Sequence, residues 1–301
     1  MSRSTSASLA LAVVLLCGAA LAAQTQGTGF DSSKAWEHLR QQVTIGPRPS
    51  GSPANVKTRD YIKAQLAALG IKSVEQPFDG ATPLGPVKMV NIIGTIPGKS
   101  ADRIVIGSHF DTKLFRNMRF VGASDGASST AALLEAARVL KARKDLPFTI
   151  ELLFLDGEEA VLEWQGNDNT YGSRYYVEAA KKSGSLKSLK AFILLDMVGD
   201  RNLTIRRESN STRWMTDIVW NNAHKLGHRA FMDEETTVED DHIPFVKAGV
   251  PSLDIIDLDY PQWHTAQDTL DAVAARSLQV VGDTLVAALP DIEAYLQKNA
   301  R

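Results

Sequence analysis

The stretch that decides the fold is FTIELLFLDGEE, residues 148–159. Its first eight residues are largely apolar and predict a buried strand, which ends abruptly in Asp156, Glu158 and Glu159. In α/β proteins, ligands bind beyond the carboxyl ends of the parallel strands. We therefore expect a sheet of this class, with polar chemistry at the edge where this strand ends.

The other apolar segments alternate between strand and helix patterns. Strands are predicted over 73–78, 89–96, 104–106, 191–195 and 252–256. Helices are predicted over 35–43, 54–69, 127–143, 174–182 and 275–298, and Pro290 is expected to bend or break the last of them. The predicted fold class is α/β, a three-layer sandwich whose central mixed sheet is mostly parallel and has helices on both faces.

Polar side chains also follow three other predicted strands. These are His109 and Asp111 after strand 104–106, Asp196 after strand 191–195, and Trp263 and His264 after strand 252–256. A further loop, residues 121–126, places Asp125 directly before a helix. Taken alone, Asp125 is typical of a helix N-cap and Glu158-Glu159 of a solvated acidic pair. Carboxylates and imidazoles, however, recur at the ends of four predicted strands or in the loops that follow them. This recurrence indicates a shared site.

Composition and charge exclude several classes of protein. The chain has 301 residues, 44% of them hydrophobic and 23% charged, and its 33 Lys and Arg nearly balance 35 Asp and Glu, for a net charge of −2. These values exclude a disordered chain, a collagen-like repeat and a bulk nucleic-acid binder, and we expect no nucleic-acid partner. One cysteine excludes a disulfide-stapled scaffold and a thiolate zinc finger. No linker or repeat divides the chain into domains. We also expect the protein to be a monomer.

Residues 1–23 have the features of a secretory signal peptide. Arg3 precedes an apolar run of 15 residues from Leu9 to Ala23, which is shorter than the roughly 20 residues of a membrane-spanning helix. The run ends in small residues of the A-x-A cleavage type. We expect an exported protein, secreted or periplasmic, with a single catalytic domain over residues 24–301 and no stable membrane insertion after cleavage. An uncleaved N-terminal anchor is the alternative.

The candidate ligands are carboxylates and imidazoles without a thiolate. This donor set suits zinc at a catalytic site, where three protein ligands leave one position open. Two adjacent glutamates can take different roles, since one can bind the metal while its neighbour serves as general base. The pair Glu158-Glu159 has this arrangement.

Together these residues resemble the zinc aminopeptidase superfamily and, within it, the glutaminyl cyclases. The superfamily pattern is His109-x-Asp111, Gly122-Ala123-Ser124-Asp125-Gly126, Asp156-Gly157-Glu158-Glu159, Asp196 and His264. The narrower, cyclase-like pattern adds Trp164, Tyr171-Gly172-Ser173-Arg174, Asp240-Asp241-His242-Ile243-Pro244-Phe245, Gly249-Val250-Pro251, Trp263-His264-Thr265 and Asp268. The resemblance spans residues 35–295, nearly the whole chain after the signal peptide.

The resemblance implies zinc-dependent conversion of the N-terminal glutamine of a peptide or protein to pyroglutamate, with release of ammonia. It implies that three residues hold one zinc ion, namely Asp125, Glu159 and His264. It implies that three acids handle protons, Glu158 as general acid/base and Asp196 and Asp240 as a hydrogen-bonded pair beside it. It implies that three aromatic residues line the substrate pocket, namely Trp164, Trp263 and Tyr260.

Two other functions stay open at this stage. A zinc aminopeptidase would use the same Glu158 to activate water, and it would hold a second zinc ion with His109 and Asp196, bridged by Asp125. A non-catalytic binding protein of the same fold is the second alternative. The ligand set alone is compatible with one zinc ion or with two.

Two positions depart from the pattern of the animal cyclases. Asp254 stands where those enzymes carry a further histidine near the pocket, and Glu239 stands where they usually carry glutamine. These differences bear on substrate preference and on pocket electrostatics rather than on the metal ligands.

Overall fold

A computed structural model describes residues 27–299 of the chain. The predicted signal peptide, residues 1–23, lies outside the described residues. The helices are α1 (Ser32–Ile45), α2 (Pro53–Ala68), α3 (Ala127–Ala142), α4 (Tyr171–Ser183), α5 (Arg213–Lys225), α6 (His242–Lys247) and α7 (Ala275–Asn299). The strands are β1 (Lys72–Thr82), β2 (Gly85–Ile96), β3 (Ser100–His109), β4 (Phe148–Leu155), β5 (Leu189–Asp196), β6 (Ile205–Glu208), β7 (Phe231–Thr236) and β8 (Ser252–Ile256).

Six strands form one mixed sheet in the order β1-β2-β4-β3-β5-β8. Strands β1 and β2 form an antiparallel hairpin, and β2 pairs antiparallel with β4. Strands β4, β3, β5 and β8 are parallel to one another. The predicted mixed, mostly parallel sheet is therefore confirmed. Because the four parallel strands point the same way, their carboxyl ends lie at one edge of the sheet.

Helices cover both faces of this sheet. Along β3, Ile104 and Ile106 belong to the larger core, which also contains residues of α1, α3, α5 and α7. Between them, Val105 points to the opposite face and joins a smaller core with Val177 of α4 and Phe245 of α6. Successive side chains of a strand alternate between the two faces of its sheet. An apolar residue at every position of this segment therefore buries both faces and produces the three-layer sandwich that was predicted.

Pro290 was expected to bend or break the last helix, and it does not break it. Helix α7 continues through this residue to Asn299, the last residue that the structure describes. Proline inside a helix removes a hydrogen bond and introduces a clash that together cost about 3 kcal/mol. The flanking residues Leu289 and Ile292 are fully buried in the larger core. Their packing holds both halves of the helix against the domain and offsets this cost.

A second, two-stranded parallel sheet of β6 and β7 was not predicted from the sequence. Strand β6 has only 4 residues, and four consecutive residues of β7 are exposed, so neither segment carries a strong apolar pattern. In the described part of the chain, no helix is both long and apolar enough to cross a bilayer.

Candidate active site

A cavity of about 680 Å³ opens where β4, β5 and β8 end. Eight of the predicted site residues line it: Asp125, Glu158, Glu159, Trp164, Asp196, Asp240, Trp263 and His264. A ninth, His109, lies behind Asp125 and Asp196 and is almost fully buried. The parallel strands therefore bring together residues that are far apart in the chain, as the rule for α/β sheets predicts.

The first group of candidate metal ligands is Asp125, Glu159 and His264. The imidazole Nε2 of His264 lies 3.4 Å from Asp125 Oδ2 and 3.3 Å from Glu159 Oε1. One ligand atom from each of the three residues lies within 4.8 Å of the others. Asp125 Oδ2 and Glu159 Oε2 are buried and accept no hydrogen bond from the described residues. Unpaired buried carboxylate oxygens are unfavourable unless a cation compensates them, so this group fits a metal ion.

A second group adjoins the first and shares Asp125 with it. His109 Nε2 lies 3.2 Å from Asp125 Oδ1 and 3.0 Å from Asp196 Oδ1. These three residues also satisfy the spacing for a metal ion. The shared carboxylate has one oxygen toward each histidine, so the arrangement is compatible with one ion or with two bridged by Asp125.

Asp125 is not the N-cap of α3, which was its alternative interpretation. The capping position is Gly126, which has no side-chain capping bond and a φ of 81°. A Cβ atom there would lie 2.8 Å from the carbonyl oxygen of Asp111 and 3.0 Å from Cε1 of His109. Glycine therefore meets both a backbone and a packing requirement, because it tolerates positive φ and lets the helix start directly beneath the site.

Asp268 holds the loop that carries Asp125. Its carboxylate accepts hydrogen bonds from the backbone N–H of Ser124 at 2.8 Å and of Asp125 at 3.1 Å. Burial raises the pKa of Asp268 to about 6, and the charge of Asp125 adds to the shift. Asp268 belonged to the motif in the sequence, but no role was assigned to it there. Its part is to orient a candidate ligand, since a metal-binding carboxylate depends on such supporting contacts.

Asp111 holds the two adjacent glutamates in a similar way. Its Oδ1 accepts the backbone N–H of Glu158 at 3.2 Å, and its Oδ2 accepts that of Glu159 at 3.3 Å. The side chain of Glu159 then turns toward His264, while that of Glu158 approaches His109, with Oε2 3.8 Å from Nδ1. The adjacent acids therefore occupy different places, as the proposed division of work requires.

Three acids of the cavity, Glu158, Asp196 and Asp240, have raised pKa values. Burial raises the pKa of Glu158 well above its usual value; the charges of Glu159 and Asp240 add to this shift, whereas His109 opposes it. Burial and then the charge of Asp196 raise the pKa of Asp240 to about 7. Burial also raises the pKa of Asp196, although His109 opposes the shift. Asp240 can therefore both hold and release a proton near neutral pH, and Glu158 and Asp196 hold a proton more strongly than ordinary carboxylic acids do.

A buried histidine lies under the segment that carries Asp240. His242 Nε2 lies 3.1 Å from Glu208 Oε2, and its Nδ1 lies 3.5 Å from Asp254 Oδ2; all three side chains are fully buried. Asp254 therefore faces His242 and is not part of the cavity wall. The aspartate at position 254, where animal cyclases carry histidine, therefore changes the residues behind the site and not the lining of the cavity.

Arg48 supports the site from within the domain, and sequence reasoning missed it. Its guanidinium is fully buried and donates to the carbonyl oxygens of Phe110 at 2.7 Å, Val121 at 2.6 Å and Gly122 at 3.0 Å. These bonds tie the end of β3 to the loop that carries Asp125. A buried arginine has no periodic pattern of its own, and its only sequence signal was a place in a proline-rich loop, residues 46–53.

The backbone is strained at one functional residue, His264, and directly after another, Asp196. His264 has a φ of 54° and Met197, which follows Asp196, has a φ of 47°. Such values are uncommon for residues other than glycine and occur often at functional sites. The surrounding contacts therefore hold these segments in positions that the local sequence does not favour.

Two of the three predicted aromatic residues line the cavity. Trp164 is 36% exposed and Trp263 is 48% exposed, and both lie on its wall. The prediction for Tyr260 is wrong, because its side chain is buried with Met197 and Ile256 and is not part of the cavity wall. Its hydroxyl donates to Asp268 Oδ1 at 2.6 Å. Tyr260 therefore supports the carboxylate that orients the Asp125 loop.

Replacing Tyr260 with Phe tests this supporting role. We expect Tyr260→Phe to lower the free energy of unfolding by about 1–2 kcal/mol, because one hydrogen bond to a buried carboxylate is lost. The measurement is urea denaturation followed by circular dichroism. Tyr175→Phe is the control, since it removes the hydroxyl of an exposed tyrosine and such surface changes are usually within about 0.5 kcal/mol. Equal unfolding free energies for the wild type and Tyr260→Phe would show that the hydroxyl contributes nothing.

Comparison with known proteins places the chain in a family. The model for peptidase family M28 matches residues 91–289. The mouse glutaminyl-peptide cyclotransferase-like protein is 32% identical over 270 residues, which cover 80% of this chain and 70% of that protein. The chain belongs to peptidase family M28 and, within it, to the glutaminyl-peptide cyclotransferases. The resemblance inferred from the motifs is thereby confirmed.

Two solved structures have the same fold as this chain. A glutaminyl cyclase from an Acidobacteriales bacterium is 39% identical, with a TM-score of 0.85, and the match covers 91% of this chain and 98% of that one. A leucine aminopeptidase precursor from Bacteroides thetaiotaomicron is 30% identical, with a TM-score of 0.79, covering 86% and 96%. The fold thus occurs in proteins named for two different reactions, and the residues of the site have to distinguish between these reactions.

Proposed function

We propose that this M28 protein converts the N-terminal glutamine of peptides or proteins to pyroglutamate and releases ammonia. The observation that carries the proposal is the placement of Glu158, a buried acid of raised pKa, beside the group of Asp125, Glu159 and His264 in a tryptophan-lined cavity. The high identity to a named glutaminyl cyclase supports it. The proposal concerns the domain 24–301, after removal of residues 1–23.

The residues of the first group are proposed to hold a zinc ion. Two carboxylates and one imidazole match the ligand set of catalytic zinc sites, and the unpaired oxygens of Asp125 and Glu159 favour a bound cation. When bound, the ion supplies Lewis-acid polarisation of the side-chain amide carbonyl of glutamine. The second group, with His109 and Asp196, is proposed to stay free of metal during cyclisation.

Glu158 is proposed to carry the proton through the reaction. It accepts a proton from the α-amine, whose nitrogen then attacks the side-chain amide carbon and forms the new C–N bond. The bond from that carbon to the amide nitrogen breaks, and Glu158 returns the proton so that the nitrogen leaves as ammonia. A raised pKa suits both steps, since the same group must be a base first and an acid afterwards. The cavity walls orient the glutamine and exclude water, because a ring closing within one residue needs no second reactant.

The neighbouring acids Asp196 and Asp240 are proposed to share one proton. Both are buried, and the charge of Asp196 contributes to the raised pKa of Asp240. Two close carboxylates cannot both ionise without a large cost, so one of them holds a proton near neutral pH. The shared proton would keep the charge next to Glu158 low and would fix its orientation.

Replacing Asp240 with Asn tests this pair. We expect Asp240→Asn to lower kcat by about tenfold to a hundredfold, because the amide cannot share a proton with Asp196. Zinc content should stay unchanged, since Asp240 belongs to neither ligand group. The measurement is ammonia release from a Gln-initiated peptide, with the exposed Asp145→Asn as control. Full activity of Asp240→Asn would exclude a catalytic role for the pair.

An aminopeptidase is the second candidate. The adjoining group of His109, Asp125 and Asp196 favours it, as does the similarity to a protein named a leucine aminopeptidase precursor. In that case Glu158 would activate water for peptide hydrolysis, next to two zinc ions.

Mass spectrometry of two peptides distinguishes the two functions. The zinc-loaded protein is incubated with a Gln-initiated and a Leu-initiated peptide of otherwise identical sequence. We expect the Gln peptide alone to lose the mass of ammonia, at a rate above its spontaneous cyclisation. Loss of a whole N-terminal residue from either peptide would establish the aminopeptidase instead. No change in either peptide would overturn both functions and favour a non-catalytic binding protein.

A further inference from the structure

The cavity has a charged and aromatic mouth that takes no part in the proton transfers of the proposed reaction. Its deep part holds the acids and the histidine described above, whereas Glu163, Trp164, Glu239 and Trp263 line it with exposed side chains. In a peptide whose N-terminal glutamine reaches Glu158, the residues that follow the glutamine have to leave through this exposed part. The mouth is therefore where the protein contacts the rest of its substrate.

The mouth contains two carboxylates without a partner. Glu163 comes from the segment after β4, and Glu239 comes from the segment between β7 and α6. Within residues 27–299, neither side chain forms an ion pair, whereas the chain carries many surface pairs elsewhere, such as Arg40–Glu37 and Lys88–Asp79. Two segments that are distant in sequence thus each present a free negative charge to the same opening.

The lysine that lines the cavity forms no ion pair with these carboxylates. The ammonium of Lys113 donates to the carbonyl oxygen of Ala160 at 2.7 Å, and the backbone N–H of Lys113 donates to Glu159 Oε1 at 3.1 Å. Lys113 therefore lies over the candidate metal group, and it forms no ion pair with Glu163 or Glu239. The mouth keeps a net negative charge.

The two tryptophans also favour positively charged groups. Trp164 directly follows Glu163, and both indoles keep exposed surface. A guanidinium or ammonium group over an indole face gains about 0.5–1 kcal/mol at an exposed site. Carboxylates beside exposed indole rings favour cationic side chains and disfavour anionic ones through two separate effects.

We infer that Glu163 and Glu239, together with the two tryptophans, select substrates in which lysine or arginine directly follows the N-terminal glutamine. This inference rests on the proposed function, since it assigns the substrate class of the same site. Peptides with aspartate or glutamate at that position are disfavoured. Glu239, which stands where animal cyclases usually carry glutamine, then adds a charge to the mouth that a glutamine at this position would not supply.

The test compares three peptides that differ only after the glutamine, Gln-Arg, Gln-Ala and Gln-Glu. We expect kcat/KM to fall in that order, with at least about a tenfold difference between Gln-Arg and Gln-Glu at low salt, expressed mainly in KM. The difference should shrink as ionic strength rises, because exposed charges are screened. In the double variant Glu163→Gln and Glu239→Gln, the Arg-to-Glu ratio should fall to about twofold, the remainder coming from the tryptophans. The variant Glu234→Gln, an exposed glutamate of β7 outside the cavity wall, is the matched control and should keep the wild-type ratio.

The outcomes separate this inference from the function on which it rests. Equal kcat/KM values for the three peptides, or a ratio that the double variant leaves intact, would overturn the charge preference and leave cyclisation established. If no peptide is cyclised, the proposed function fails. Peptide binding, followed through tryptophan fluorescence, then tests the charge preference. We expect Gln-Arg to bind more tightly than Gln-Glu. Equal binding of the two peptides would overturn the charge preference.

Discussion

Replacing Glu158 with Gln is expected to lower the rate of ammonia release from a Gln-initiated peptide by about a thousandfold, within the range found when general acid/base groups are removed. Glutamine has nearly the same shape but cannot accept a proton from the substrate amine. The backbone bond from residue 158 to Asp111 does not involve the side chain, so the segment keeps its position. Metal content should also be unchanged, because Glu158 belongs to neither ligand group.

The measurement combines single-turnover kinetics with metal analysis of the same preparation. The control is Glu234→Gln, which makes the same chemical change at an exposed site and should keep wild-type activity. Wild-type activity in Glu158→Gln would contradict the assignment of the proton carrier. Loss of activity together with loss of metal would instead indicate that Glu158 contributes to the metal site.

Replacing His264 with Ala is expected to abolish zinc retention and to reduce activity by a similar or larger factor. His264 is the only imidazole of the first group, and its Nε2 faces the carboxylates of both Asp125 and Glu159. Burial lowers the pKa of His264, but these two carboxylates outweigh it and raise the pKa to about 10. Without the imidazole, two buried carboxylates are left to hold a cation alone, and a two-ligand site binds zinc weakly.

Zinc content after dialysis, measured by plasma mass spectrometry, checks this prediction. His228→Ala is the matched control, because this partly exposed histidine lies outside both ligand groups. A wild-type zinc content in His264→Ala would show that the ion binds elsewhere.

The variant His109→Ala decides between one ion and two. His109 belongs only to the second group, so a cyclase with one zinc should keep its metal after this change. Loss of one of two equivalents would indicate the dinuclear site of an aminopeptidase. The two histidine variants together thus assign each ion to a group of residues.

The sequence was sufficient to predict most of the sheet and the identity of the candidate site. Strands 148–155 and 252–256 lie at the predicted residues because a short apolar run bounded by polar residues is a local signal. Glu158 and Glu159 follow the first of these strands and Asp196 ends β5, so a correctly predicted strand also places such a side chain at the correct edge of the sheet. The spacing of the motifs then indicated the family without any knowledge of three-dimensional contacts.

The supporting contacts could not be predicted in this way. Arg48 binds a carbonyl 74 positions away, and Asp268 binds a backbone N–H 144 positions away. Neither contact produces a periodic pattern, because hydrogen bonds between distant segments depend on how the whole chain folds. The position of Tyr260 behind the cavity wall was also missed for this reason. The sequence likewise did not decide whether α7 is broken at Pro290.

The sequence by itself determined which chemical groups this protein has and at which ends of which strands they lie. Local patterns of apolar and polar residues are set by neighbours in the chain, and these patterns specify strands, helices and their ends. Only the tertiary structure decided which of those groups face one another: His264 beside Asp125 and Glu159, His242 between Glu208 and Asp254, and two free carboxylates at one cavity mouth. The physical reason is that distances between such groups depend on the packing of helices and sheet around a common core, to which every segment of the chain contributes.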